Sequence, residues 1–238
     1  ALMFATHDYR DPNIPKLMTP KADANLVAKT LRDRMGYETR MVDNGTKGEM
    51  IEALKTLGHE LTENDNVIVY YAGHGFALQE TGNGYWLPVD AKTDSPAQWI
   101  SNRDVSRLLH RMPAKHILLV ADSCYSGAFT KEQAVSDSDV ERDPQALMQR
   151  RSVMAMSSGG DEPVLDGDVN SPFASALVGQ VTKLQNFEPG VGMFHLVHDV
   201  VVKKTPQTPQ YGAVRFAGYD AGGDYLFNRL GRKTVAGR

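Results

Sequence analysis

The sequence has little cysteine: Cys124 is the only one among 238 residues. A single thiol cannot form an internal disulfide, so packing must stabilise the fold. The sequence also lacks an excess of charge of one sign, since its formal net charge is −3, which argues against a nucleic-acid partner held by general electrostatic attraction. It contains no apolar run of the roughly 18 residues needed to cross a bilayer.

No secretory signal peptide is visible in the sequence, so we expect no membrane partner and a cytoplasmic location. The chain opens on the strand-like run ALMFAT without an initiator Met. A signal or a domain upstream of Ala1 can therefore have been removed.

Short β-rich runs alternate with longer amphipathic runs along the chain. This alternation predicts a mostly parallel sheet, and two of the runs, 66–73 and 116–123, are continuously apolar, as in central strands covered on both faces. We predict an α/β fold, a three-layer α/β/α sandwich with about six strands in a single domain over residues 1–238. The predicted strands are 1–6, 37–43, 66–73, 116–123, 152–158 and 213–218, and the predicted helices are 21–35, 47–61, 102–112 and 171–185.

One segment, 130–151, is polar, charged and poorly periodic. We predict a long exposed loop there, between a larger part (1–129) and a smaller part (152–238) of the domain. Loops of this length in compact domains are usually functional or mobile.

The two apolar central strands end in residues that carry chemistry, His74 in AGHG and Cys124 in DSCYSG. Ligands of open parallel sheets bind outside the carboxyl ends of the strands, and an imidazole near a thiol lowers its pKa and activates it as a nucleophile. Each residue has a simpler interpretation, since a lone Cys at a strand end is commonly a small buried hydrophobe and a His between glycines can be a turn residue. The occurrence of both residues at strand ends favours the interpretation that Cys124 is a nucleophile and His74 is its base.

The runs VIVYYAGHG, GYWLPVDA and HILLVADSCYSG resemble the caspase-like cysteine peptidases, most of all their metacaspase and bacterial branch. His74 lies about 50 residues before Cys124, the spacing of the two catalytic residues in caspases. Segments 18–46 and 152–178 also resemble the family. The resemblance implies a peptidase in which Cys124 attacks the scissile carbonyl and His74 is acid and base. It also implies an oxyanion hole formed by the backbone N–H groups of Gly75 and Cys124.

Substrate preference is predicted from two acidic residues, Asp23 and Asp122. In Arg/Lys-specific members of the family, acids at the matching positions line the S1 pocket, whereas caspases carry arginines there and select Asp. We therefore expect protein or peptide substrates with Arg or Lys at P1, whose charge would pair with these carboxylates. The alternatives are that Asp23 only stabilises a helix start and that Asp122 is a structural turn acid.

Some positions depart from the pattern of metacaspases. Ala72 replaces a pocket Ser two residues before the His, and Asn102 and Arg103 stand where many members carry paired aspartates of a calcium site. An Arg among the ligands would oppose calcium binding. We therefore expect calcium-independent activity, with no metal and no cofactor.

The segment 130–151 ends in QRRS, with Arg150 and Arg151 before a predicted strand. An Arg-specific enzyme could cut itself after either residue, and the alternative is a solvated basic pair entering a strand. Two further function hypotheses remain open, a catalytically silent caspase-fold interaction module and a Cys hydrolase of small amides or esters. The sequence does not decide between a monomer and a dimer.

Overall fold

A computed structural model of the chain describes residues 1–78, 83–123, 135–136, 138–141, 143–159, 169–214 and 216–229. Its centre is a six-stranded sheet in the order β10-β8-β7-β3-β1-β2. Five strands are parallel, and the edge strand β10 is antiparallel to β8. The six strands are β1 (Leu2–Ala5), β2 (Arg40–Asp43), β3 (Asn66–Ala72), β7 (His116–Asp122), β8 (Ser152–Ser157) and β10 (Gln210–Ala213).

Helices cover both faces of this sheet, so the predicted α/β/α sandwich is confirmed. Apolar residues of α1, α5 and α6 pack on one face, and those of α2 and α3 pack on the other. β7 is buried along its whole length, as its continuously apolar sequence predicts. The helices are α1 (Pro20–Met35), α2 (Lys47–Glu60), α3 (Asn102–His110), α4 (Pro144–Gln149), α5 (Pro172–Lys183) and α6 (Gly190–Val201).

Two small antiparallel sheets flank the central one. The first leaves the carboxyl end of β3 and consists of β4 (Gly75–Leu78), β5 (Asn83–Trp86) and β6 (Ile100–Ser101). The second pairs β9 (Phe187–Pro189) with β11 (Leu226–Asn228). The first of them matters for function because its opening turn contains His74.

Two predicted elements differ from the structure. The last strand of the central sheet runs over Gln210–Ala213 instead of 213–218, because pairing with β8 begins at Gln210, and Phe216 has a φ of 62° that no strand tolerates. The predicted loop 130–151 contains α4, which begins where the Asp143 side chain accepts the Gln145 N–H and buries Leu147.

No described helix has both the length and the apolar character needed to cross a membrane.

Candidate active site

The carboxyl ends of β3 and β7 lie side by side, with Ala72 paired to Asp122. His74 follows β3 by two residues, and the chain continues from Asp122 through Ser123 to Cys124. Cys124, the predicted nucleophile, lies outside the described residues. The parallel register nevertheless brings the two chain segments that carry the predicted dyad to the same edge of the sheet.

His74 is held by backbone groups and by two tyrosines. Its Nε2 lies 2.8 Å from the Pro15 carbonyl oxygen. Its backbone N–H donates to the Tyr9 hydroxyl at 2.7 Å, and its carbonyl accepts from the Tyr71 hydroxyl at 2.7 Å. Because a carbonyl oxygen can only accept, Nε2 carries the hydrogen, which leaves the lone pair on Nδ1. A neutral His74 in this tautomer can accept a proton through Nδ1.

Two glycines flank this histidine, and the first of them lies in a crowded place. A Cβ at Gly73 would lie 2.7 Å from the Tyr71 hydroxyl and 3.1 Å from the Tyr9 hydroxyl. Gly75 pairs with Trp86 directly after the hydrogen-bonded pair of His74 and Leu87. Pairs alternate in an antiparallel ladder, so the Gly75 N–H points away from β5. A role of this N–H in an oxyanion hole stays a prediction.

Asp23 and Asp122 are buried together on the other side of this edge, with 1% and 6% of their surface exposed. Asp122 Oδ2 accepts from Ser171 Oγ at 2.5 Å and from the Tyr70 hydroxyl at 3.3 Å. Asp23 Oδ1 accepts from the Ser171 N–H at 2.9 Å and from Asn170 Nδ2 at 2.8 Å. The Asp23 side chain therefore links α1 to the start of α5. Its contacts are not limited to the start of its own helix.

The pKa of Asp122 is raised to about 6, chiefly by burial and also by the nearby negative charge of Asp23, against opposing hydrogen bonds of which the one from Ser171 is the largest. A rise from the ordinary 3.8 to about 6 corresponds to about 3 kcal/mol of unfavourable energy in the ionised carboxylate. Within the described part of the chain, Asp122 Oδ1 has no hydrogen-bond partner. The buried acid pair therefore includes a carboxylate that a nearby cation would stabilise.

Comparison with known proteins identifies the family. The model of the caspase domain family matches residues 1–217. The chain belongs to this family of cysteine peptidases. Among curated proteins, no sequence matches it.

Solved structures share the caspase fold with this chain. Caspase-1 from Spodoptera frugiperda superposes with a TM-score of 0.67 at 12% identity, covering 90% of this chain and 85% of that one. Protein GSU0716 from Geobacter sulfurreducens superposes with a TM-score of 0.64 at 18% identity, covering 94% of this chain and 98% of that one. At these identities the likeness shows the fold alone.

The basic pair of this caspase-family chain is less accessible than predicted. Arg150 and Arg151 are both partly buried. Arg150 Nη1 donates to the Ala221 carbonyl at 2.6 Å. The Arg151 guanidinium donates to carbonyls at and beyond the end of α3, including Met112 at 3.2 Å and Ala114 at 2.8 Å. Free carbonyls at a helix C-terminus attract such a cation. Cleavage after either arginine stays a prediction, and it requires these contacts to open.

Several residues that contact His74 or the acid pair could not be named from the sequence, among them Pro15, Tyr9 and Ser171. The carbonyl of Pro15 and the hydroxyl of Tyr9 hold His74 from a loop 59 and 65 residues away along the chain, and no local pattern signals such contacts. Ser171 had a signal, because a Ser directly before a Pro-initiated helix is a typical N-cap. Its hydroxyl accepts the Ala174 N–H and also donates to Asp122.

Proposed function

We propose that this caspase-family protein is a cysteine endopeptidase that cleaves protein or peptide substrates after Arg or Lys, with His74 and Cys124 as its catalytic dyad. The observation that carries the proposal is the buried acid pair, Asp23 and Asp122, at the same sheet edge as a histidine whose Nδ1 is free to accept a proton.

The proposed reaction uses His74, Cys124 and the N–H of Gly75. His74 Nδ1 accepts the Sγ proton of Cys124, and the thiolate attacks the scissile carbonyl carbon. The N–H groups of Gly75 and Cys124 donate to the oxyanion that forms. His74 then gives the proton to the leaving amine as the C–N bond breaks. Water hydrolyses the resulting thioester, releases the carboxylic acid and restores the thiol.

Selection of a basic P1 residue is argued from the unfavourable free energy of the ionised Asp122 carboxylate. The ionised Asp122 is destabilised by burial and by Asp23. An Arg or Lys side chain would pair with it and recover part of that energy, and a guanidinium could do so with two parallel hydrogen bonds. An Asp side chain would add a third carboxylate to the same buried space, which like-charge repulsion disfavours.

Self-processing after Arg150 or Arg151 belongs to the same proposal. Both residues satisfy the proposed P1 preference. Their contacts with Ala221 and with the end of α3 have to open first, so we expect cleavage between molecules to be slow for folded protein. To test self-processing, wild type and Cys124→Ala are incubated side by side. Fragments that end at Arg150 or Arg151 and form only from wild type would demonstrate it.

The decisive experiment uses peptidyl ketone probes that alkylate an active thiol. We expect a probe with Arg at P1 to label wild type at Cys124, and the matched probe with Asp at P1 to leave it unlabelled. Intact-mass analysis should show no labelling of Cys124→Ala and strongly reduced labelling of His74→Ala. Wild type that reacts with neither probe would support a catalytically silent module, and labelling by the Asp probe alone would contradict the pocket assignment.

A further inference from the structure

Three buried oxygen atoms at or beside the ends of β7 and β8 have no partner within ordinary hydrogen-bond geometry among the residues that the structure describes. They are Asp122 Oδ1, Ser158 Oγ and Gln207 Oε1. Their residues are 6%, 0% and 1% exposed. The Ser158 side chain lies close to the Asp122 carboxylate, whose pKa it helps to lower. Buried polar atoms are nearly always hydrogen-bonded, so Gln207 Oε1 is the acceptor for which the described residues supply no donor.

Asp122 and Ser158 lie side by side on one face of the sheet. The Ser158 N–H donates to the Ala121 carbonyl at 3.0 Å, which extends the pairing of β8 with β7 past the last strand residue. Val120 and Met156 face the layer of α1, α5 and α6. The two-residue period of a strand places Asp122 and Ser158 on that same face.

Gln207 approaches from the chain segment before β10. Its Nε2 donates to the Ser158 carbonyl at 3.2 Å, and its backbone N–H donates to Thr205 Oγ1 at 3.2 Å. Because a carbonyl only accepts, this bond fixes which end of the amide faces Ser158. The Oε1 atom of the same amide is left as an acceptor next to Ser158.

We propose that Gln207 is a specificity-determining residue of the S1 pocket, where its Oε1 accepts a hydrogen bond from the P1 cation beside Asp122 and Ser158. This inference rests on the proposed function and extends it from the acid pair to the neighbouring strands. Arg offers five N–H donors and Lys offers three, so one cation can donate to several of these oxygens. An uncharged acceptor also avoids placing a third carboxylate beside Asp23 and Asp122.

The test replaces Gln207 with Met, which has similar length and no acceptor of comparable strength. Agmatine, which carries the Arg guanidinium without a peptide, serves as the probe of the pocket. We expect Gln207→Met to raise the inhibition constant of agmatine and the KM of a P1-Arg peptide roughly tenfold, as for the loss of a hydrogen bond to a charged group. The kcat should stay within about twofold, because the dyad is untouched.

The matched control is Gln210→Met, three residues further along the chain, which should change neither constant. Gln207→Asn keeps the amide but shortens the side chain, and it should also weaken agmatine binding. This second variant serves as the test if Gln207→Met does not fold. Unchanged agmatine inhibition in both Gln207 variants, or a fall in kcat and thermal stability without weaker agmatine, would overturn the inference. Wild type that cleaves no P1-Arg peptide and reacts with no Arg ketone would instead sink the proposed function itself.

Discussion

The two halves of the site are built in opposite ways. His74 is partly exposed, and its ring and backbone groups are bonded to Pro15, Tyr9 and Tyr71. The acid half is buried, and Asp122 keeps an oxygen for which the described residues supply no partner. The groups around the histidine are thus hydrogen-bonded without a substrate, whereas the acid half offers an oxygen to the cation that we propose. Catalysis needs fixed geometry. Selection of a basic substrate side chain would benefit from a buried carboxylate that lacks a positive partner.

The opposite faces of the central sheet support these halves. The acid pair lies under α1 and α5, with Tyr70 beneath it. The next residue, Tyr71, points to the other face, where its ring stacks on Trp86 with centroids 4.3 Å apart, and its hydroxyl reaches His74. One strand therefore sends neighbouring tyrosines to Asp122 and to His74, so we expect that the two halves can be changed separately.

The largest effect should come from removing the imidazole. His74→Ala should lower kcat for a P1-Arg peptide about 10³-fold or more, because both thiol activation and protonation of the leaving amine are lost. Agmatine binding, measured by calorimetry, should stay unchanged. Weakened agmatine binding in this variant would show that the two halves are not separable.

The acid half is broken by Asp122→Asn, which keeps the shape and removes the charge. We expect kcat/KM for P1-Arg peptides to fall about 100-fold, as for loss of a buried charge partner, while thermal stability rises because an uncompensated buried carboxylate is gone. The exposed Asp94→Asn is the charge-matched control and should change neither property. Lower stability with unaltered kinetics would contradict the assignment of Asp122.

Much of this comparison could be anticipated from the sequence. His74 and Asp122 follow from the ends of two apolar runs, since parallel strands share one carboxyl edge. The hydrogen bond from His74 to Pro15 could not be anticipated, because a backbone carbonyl leaves no mark in the residue pattern. Arg151 is misjudged for the same reason, since its partners are carbonyls near the end of α3. Residue types thus reveal side-chain chemistry, and the backbone partners require the fold.

The pH dependence of agmatine inhibition should distinguish the acid half from the histidine half without a substitution. The pKa of Asp122 is raised to about 6, so acidification through pH 6 protonates it and weakens cation binding. The agmatine inhibition constant of wild type should rise about tenfold for each pH unit below this value, and that of Asp122→Asn should not follow. Considered alone, the Asp122 carboxyl should make the free protein less stable as pH rises from about 4 to 6, because it ionises in the unfolded chain while the buried carboxyl still holds its proton. A flat agmatine profile in wild type would contradict the account.

The smallest effect should come from Tyr9→Phe. The variant leaves the His74 N–H without its 2.7 Å acceptor, and an unmet donor costs about 1–3 kcal/mol. We expect kcat to fall about threefold to tenfold with KM unchanged. Tyr37→Phe, at the opposite edge of the sheet, is the control. A change in KM alone would mean that Tyr9 does not act through the histidine.

The most direct test of the central claim is digestion of a positional peptide library by wild type and by Cys124→Ala. The account predicts that wild type cleaves after Arg and Lys and that the variant cleaves nothing. Cleavage after Asp, or equal cleavage by the variant, would contradict it.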